Sequence, residues 1–166
     1  MYNGPAGTVG MDQNYMTKTD DVAVFNDEIR DLLKAGGFNE EGNGFITKQD
    51  KSDKTLFLNH IGQPQSNYSA DDPGDNINYL VCHDGLTLHD SITHNCGLKE
   101  EQDREEIVSR IKLGNFFALT TQSIAFLHGG QERGRTKPNV NYSSQETIGA
   151  FVRNSYDSAD NINQVV

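Results

Sequence analysis

The sequence predicts an α/β fold in which parallel strands alternate with crossover helices. Two observations carry this reading. Three short apolar runs with strand character stand at residues 21–25 (DVAVF), 78–83 (NYLVCH) and 123–127 (SIAFL), and a long helical segment, about 100–121, separates the last two. Each run is also followed directly by polar residues: Asn26-Asp27, His83-Asp84, and His128 through Glu132. An order of strand, helix, long loop, strand, helix, strand implies parallel strands with right-handed crossovers. In such sheets the carboxyl ends of the strands carry the chemistry.

In chain order, residues 1–20 are polar, contain Gly4, Pro5, Gly7 and Gly10, and read as loop. After the first strand, Glu28 to Leu33 has helical character, with Ile29, Leu32 and Leu33 on one side, and Gly36-Gly37 stops it. Residues 38–55 form a long irregular insertion. Thr55 to Ile61 fits a short helix or an extended piece, and residues 62–77 form a loop punctuated by Pro64 and Pro73-Gly74. In the central strand, Tyr79, Leu80 and Val81 suit burial on both faces. His83 and Asp84 are too polar to continue it without partners, and Gly85 permits the turn that would let both serve one ligand. Thr87 to Thr93 fits a helical turn. The long helix begins with Glu100, Glu101 and Asp103, which match the macrodipole. Ile107, Ile111, Gly114 and Ala118 share one face, and Val108, Phe116, Phe117 and Leu119 are expected to widen it. Gly114 and Ala118 leave room for a close approach. Residues 133–144 read as loop, Thr147 to Arg153 as a further short segment, and Asn154 to Gln164 as a polar tail.

Bulk composition narrows the function classes. The 166 residues fit one domain, and 24 acidic against 14 basic residues give a formal charge of −10. That balance argues against a nucleic-acid groove or an anionic membrane surface. A hydrophobic content of 34% without tryptophan is low, so the domain is loop-rich or part of its core lies elsewhere. No apolar run approaches the roughly 20 residues needed to cross a bilayer. Met1-Tyr2-Asn3-Gly4-Pro5 does not read as a signal peptide, and the compartment, cytoplasmic or secreted or at the cell surface, stays unassigned. Cys82 and Cys96 read as free thiols.

His83-Asp84 and His89-Asp90 form an HD-x4-HD pattern that admits a metal-dependent α/β hydrolase. A structural role is favoured, because metal-binding HD pairs of phosphohydrolases sit on helices and the first pair here ends a strand. Gly129-Gly130 lacks the context of a phosphate loop, and no G-x-S-x-G elbow occurs. On position alone, Gln131-Glu132 favours holding neighbouring loops over binding substrate. Arg30 reads as a structural ion-pair partner.

Taken together, the segments resemble the α-amylase superfamily of glycoside hydrolases, most closely type I pullulanases and related debranching enzymes. VAVFNDEIRD is similar to that family's sixth barrel strand and following loop, NYLVCHDGLTLHD to the seventh, and SIAFLHGGQERGRTK to the eighth. RNSYDSADNIN is similar to the segment beyond it. The resemblance implies a partial (β/α)8 TIM barrel over residues 1–166, roughly strands six to eight with intervening helices, as the C-terminal part of a catalytic domain. It implies that Asp84 orients the sugar hydroxyls and favours the oxocarbenium-like transition state. His83 would bind the same sugar, with Asn26, Asn154, Tyr156 and Asp160 as further substrate contacts.

The nucleophile and general acid of the family lie in a G-x-R-x-D motif and, usually, in E-G-W. Neither occurs here: Glu41-Gly42 is followed by Asn43 and comes after the sixth strand. The sequence therefore reads as the last third of a barrel, inactive alone, whose partners are an α-glucan and the missing barrel portion, with self-association in isolation. No cofactor is expected, calcium in the parent enzyme being the one the resemblance allows. The alternatives are a non-catalytic glucan-binding or assembly fragment and the metal-dependent hydrolase.

Overall fold

The computed structural model describes residues 12–35, 40, 42–139 and 146–154. Three parallel strands, β1 (Val24–Phe25), β2 (Asn76–Asn78) and β3 (Ile124–Ala125), form one sheet in the order β1-β2-β3. Val24 pairs with Asn76 and Phe25 with Ile77, and on the other side Ile77 pairs with Ile124 and Asn78 with Ala125. Helices α1 (Asp27–Leu33) and α2 (Asp53–His60) lie between β1 and β2 in sequence, and α3 (Leu88–Cys96) and α4 (Glu100–Thr120) between β2 and β3. An antiparallel hairpin of β4 (Thr147–Ile148) and β5 (Phe151–Val152) follows. Among the described residues, no helix is long and apolar enough to cross a membrane.

The parallel α/β order matches the expectation, but the central strand is displaced. Pairing spans Asn76–Asn78 rather than residues 78–83. The cause lies in its neighbours. Asn26 donates its backbone N–H to Ile77 O (2.9 Å) and at once becomes the N-cap of α1, its side chain accepting from Ile29 N. Phe126 N donates to Asn78 O (3.0 Å) on the other side. Tyr79, Leu80 and Val81 are buried as expected, at 7%, 1% and 3% exposure, but lie beyond the ladder.

Helices α1, α2 and α3 each begin where a side chain satisfies an orphan donor, whereas α4 starts after Lys99 without a side-chain cap. Ser52 accepts from Thr55 N, and Thr87 from Asp90 N (3.1 Å). Gly97, at φ +63°, closes α3 in the left-handed conformation that glycine tolerates. Helix α4 meets the core with Ile107, Ile111, Gly114 and Ala118, all buried. A Cβ on Gly114 would approach Leu80 Cδ2 to 2.9 Å and Leu88 Cδ2 to 3.2 Å, which is the close contact its small size allows. The expected widening of this face is only partial. Phe117 packs against the core, whereas Phe116 and Leu119 are 58% and 63% exposed because they turn to the outer side of the helix.

Two buried polar networks tie these layers. Asn26 Nδ2 donates to Asn59 Oδ1 (3.1 Å) and Asn78 Oδ1 (2.9 Å). Asn59 Nδ2 donates to Glu28 Oε1 (2.7 Å), and Glu28 Oε2 accepts the backbone N–H groups of Ser66 and Asn67, which fastens the loop before β2. In the second network, the buried Asp90 accepts from Thr136 Oγ1 and from Lys137 N (2.9 Å), joining α3 to the segment after β3. His89 contacts Asp90 Oδ1 through Nδ1 (3.0 Å) and Glu100 Oε2 through Nε2 (2.9 Å). Burial alone would lower the His89 pKa, but its two carboxylate partners outweigh that and raise it.

Two outcomes follow for stability. Asn26→Ala removes a cap and leaves Asn59 and Asn78 acceptors without their donor, so urea unfolding should show a loss of about 2–4 kcal/mol. The His89 contribution is complete below its ordinary pKa of 6.5 and is lost as pH rises through the higher folded value. The urea midpoint should therefore fall across that window, and His89→Gln should flatten this fall.

Candidate functional site

The polar residues after β2 occupy a sharp turn. His83 and Asp84 are exposed, Cys82 is half-buried, and Gly85 has φ +70°. A side chain on Gly85 would also collide with the Glu40 carboxylate. Glycine is required here twice over, by the backbone and by the close approach.

Three separate segments hold this turn. Gly85 N donates to Asn154 Oδ1 (2.9 Å), and Asn154 Nδ2 donates in turn to Glu146 Oε2 (2.5 Å). Leu86 N donates to Glu40 Oε1 (3.0 Å), while Glu40 Oε2 receives Lys34 Nζ at 2.8 Å in an ion pair whose side chains are 3% and 5% exposed. From the third side, Lys137 Nζ donates to Gly85 O and to Arg153 O, each at 2.7 Å. Lys137 is 2% exposed. Burial pulls its pKa down to about 8, against the opposing charge of Asp90, so it remains mostly cationic at neutral pH.

The segment after β3 reaches the same neighbourhood. Arg135 Nη1 donates to His128 Nδ1 (2.6 Å). The His128 pKa is lowered by burial first, then by the charges of Arg135, Lys137 and His83. His83 and His128 are therefore within electrostatic reach of each other.

The expected site residues divide accordingly. His83, Asp84 and Asn154 meet at one turn, with His128 nearby. Asn26 follows β1 as expected, but it is 0% exposed and its amide is committed to Asn59, Asn78 and Ile29. Its amide anchors the neighbouring elements from a buried position; the sugar contact is what the resemblance alone implies for it. Gln131 is buried and donates to Asn115 Oδ1 on α4 (2.7 Å), the loop-holding role that its position favoured. Glu132 accepts from Gly130 N and lines a cavity of about 180 Å³ with His89, Glu100 and Ile107. Tyr156 and Asp160 lie outside the described residues. Arg30 pairs with Asp27 and Asp31 and donates to Tyr79 Oη, a structural arrangement as read from the sequence.

The two His-Asp pairs do not converge. Among the described residues, Cys82, His83 and Asp84 have ligand-type atoms within 4.8 Å of one another, whereas His89 and Asp90 are engaged with Glu100, Thr136 and Lys137. The HD-x4-HD spacing is thus not a single ligand set. Sequence reasoning missed Lys34, Glu40 and Lys137. Lys137 lay inside a motif without an assigned role, and Glu40 lay in a segment read as irregular. Neither has a local signal that foretells a partner 46 or 52 positions away.

No family model matches the chain. Among curated proteins, it is 39% identical over 183 residues to Pullulanase A of Streptococcus pneumoniae, with 95% of this chain and 14% of that protein covered. It is 31% identical over 149 residues to the pullulanase of Bacillus subtilis, with 87% and 18% covered. Among solved structures, it matches the group B Streptococcus pullulanase SAP at TM-score 0.86 and 37% identity, covering 98% of this chain and 23% of that one. It matches a product complex of SpuA, a multi-modular glycogen-degrading pneumococcal virulence factor, at TM-score 0.85 and 36% identity, covering 98% and 19%. The chain thus spans a small part of the length of the proteins it matches. The chain is a pullulanase homologue, corresponding to one segment of those proteins.

Proposed function

We propose that residues 1–166 form the strand-six-to-eight portion of a (β/α)8 catalytic barrel in a pullulanase-like glycoside hydrolase that cleaves α-1,6 linkages of glucans. This portion contributes sugar contacts and a transition-state-orienting carboxylate, while nucleophile and general acid come from elsewhere in the barrel. The observation that carries the reading is the exposed His83-Asp84 pair on a turn whose backbone is fixed by three other segments. The solved complex of the group B Streptococcus pullulanase SAP with maltotetraose supports an α-glucan as the ligand.

In this reading Asp84 engages the hydroxyls of the sugar at the cleaved bond. Its charge favours the positive character that develops on the ring, so its contact strengthens toward the transition state. His83 donates to the same sugar. Asn154 closes the turn, and Asn154, Tyr156 and Asp160 are further sugar contacts carried by the resemblance. Retaining hydrolysis needs two carboxyl groups about 5–5.5 Å apart across the scissile bond. Asp84 serves neither role, so the isolated chain is inactive.

The remaining barrel is the natural partner of the sheet. Among the described strands, β1 and β3 each have a side not paired in the sheet, and Val22, Phe25 and Ile124 are 43%, 39% and 48% exposed. Such edges invite association, so the isolated chain should self-associate.

Two measurements test this function. Reducing-sugar release from pullulan by the purified chain should stay at background; turnover that disappears in Asp84→Asn would overturn the assignment of roles. In an intact enzyme containing this segment, Asp84→Asn should lower kcat by at least about 100-fold with a much smaller change in maltotetraose affinity, since its contact matters most at the transition state.

A further inference from the structure

A lysine buried to 2% exposure has lost most of its hydration and needs strong acceptors in return. Lys137 finds them in two backbone carbonyls, Gly85 O and Arg153 O, both at 2.7 Å. Gly85 immediately follows Asp84, and Arg153 immediately precedes Asn154, whose Oδ1 accepts from Gly85 N. The ammonium therefore closes a small ring. It joins the carbonyl side of the turn to the same short segment that holds its N–H side.

Lys137 is itself fixed from behind. Its own N–H donates to Asp90 Oδ2 (2.9 Å), and its carbonyl accepts from Val152 N (2.8 Å), so its backbone is bound to α3 and to β5. On the opposite side of the turn, the Lys34–Glu40 pair presents Glu40 Oε1 to Leu86 N. Asp84 is exposed, yet the two residues after it have both N–H groups and one carbonyl fixed by side chains distant in sequence. Exposure with a fixed backbone is the arrangement that pre-orients a carboxylate.

We propose that Lys137 is a positioning residue for Asp84: by bridging Gly85 O and Arg153 O it sets the turn that aims the His83-Asp84 side chains, with the buried Lys34–Glu40 pair as the counter-clamp. The proposal rests on Asp84 being a glucan ligand for its functional consequence, but the clamp can be tested without glucan.

Amide hydrogen exchange on the chain and on Lys137→Met reads the clamp directly. Exchange at Gly85 and Leu86 should quicken about tenfold or more, while the amides of α4 and β2 keep their rates. Unchanged rates at Gly85 and Leu86 would overturn the proposal. So would an equal rise everywhere, which would make Lys137 a general stabiliser. The milder Lys137→Gln, which retains an N–H donor, is read by the same criteria and should show a smaller local rise.

Maltotetraose titration then reads the consequence. Lys137→Met should weaken binding by no more than Asp84→Asn itself does, and should have no further effect in the Asp84→Asn background, because the lysine acts through that carboxylate. An equal loss in both backgrounds would overturn the positioning role. If the unsubstituted chain does not bind maltotetraose, the glucan reading of the isolated chain fails, and the exchange result still decides the clamp.

Discussion

The structure depends first on a buried amide. Asn26 ends β1, caps α1, and donates both side-chain hydrogens, one to Asn59 at the end of α2 and one to Asn78 at the end of β2. Asn78 passes the connection on through Thr121 Oγ1 (2.7 Å), at the C-cap of α4. Five elements, β1, α1, α2, β2 and α4, thereby share one hydrogen-bonded network around the short sheet. Strands of two and three residues supply few ladder bonds, so the geometry of their ends cannot rest on the ladder alone. An amide in this setting also specifies register, since a slip of one residue would bury its donors unpaired.

Above this network, order passes to the functional turn through side chains rather than through the sheet. Pairing stops at Asn78, and the chain runs on through Tyr79, Leu80 and Val81 held by packing. It then reaches His83 and Asp84 on a glycine turn. The fastening there is ionic and polar: Glu40 with Lys34, Lys137 with two carbonyls, and Asn154 with an amide. Asp90 underlies it by fixing Thr136 and Lys137 to α3. Buried charges of this kind are costly unless fully partnered, and here each has a partner of opposite charge or a set of strong acceptors. What they provide is a fixed position for an exposed pair.

The two faces of α4 show how composition and context divide the work. Its inner face, Ile107, Ile111, Gly114 and Ala118, follows from helical periodicity and was predictable. Its outer face was not, because Phe116 and Leu119 carry the same apolar signal as Phe117 yet stand largely in solvent. Periodicity measures which residues can be buried; only the neighbouring elements decide which are. The low hydrophobic content, the exposed apolar residues near the sheet and the small fraction of each relative that this chain covers all agree with a core completed by other parts of a pullulanase-like protein.

By itself, the sequence determined the alternation of strands and helices, the parallel order, the turn at Gly85, and the pairing of His83 with Asp84 as the candidate chemistry. These are local properties: apolar runs, caps, glycine conformation and motifs read within about ten residues. It also carried the resemblance that the comparisons with pullulanases bear out. Tertiary structure alone decided that the central ladder ends at Asn78, that Asn26 is an anchor, that His89-Asp90 stands apart from His83-Asp84, and that Lys34, Glu40 and Lys137 hold the turn. Most of these depend on a partner dozens of residues away, and the strength of a buried hydrogen bond or ion pair is set by that partner and by exclusion of water, neither of which is written in the local sequence.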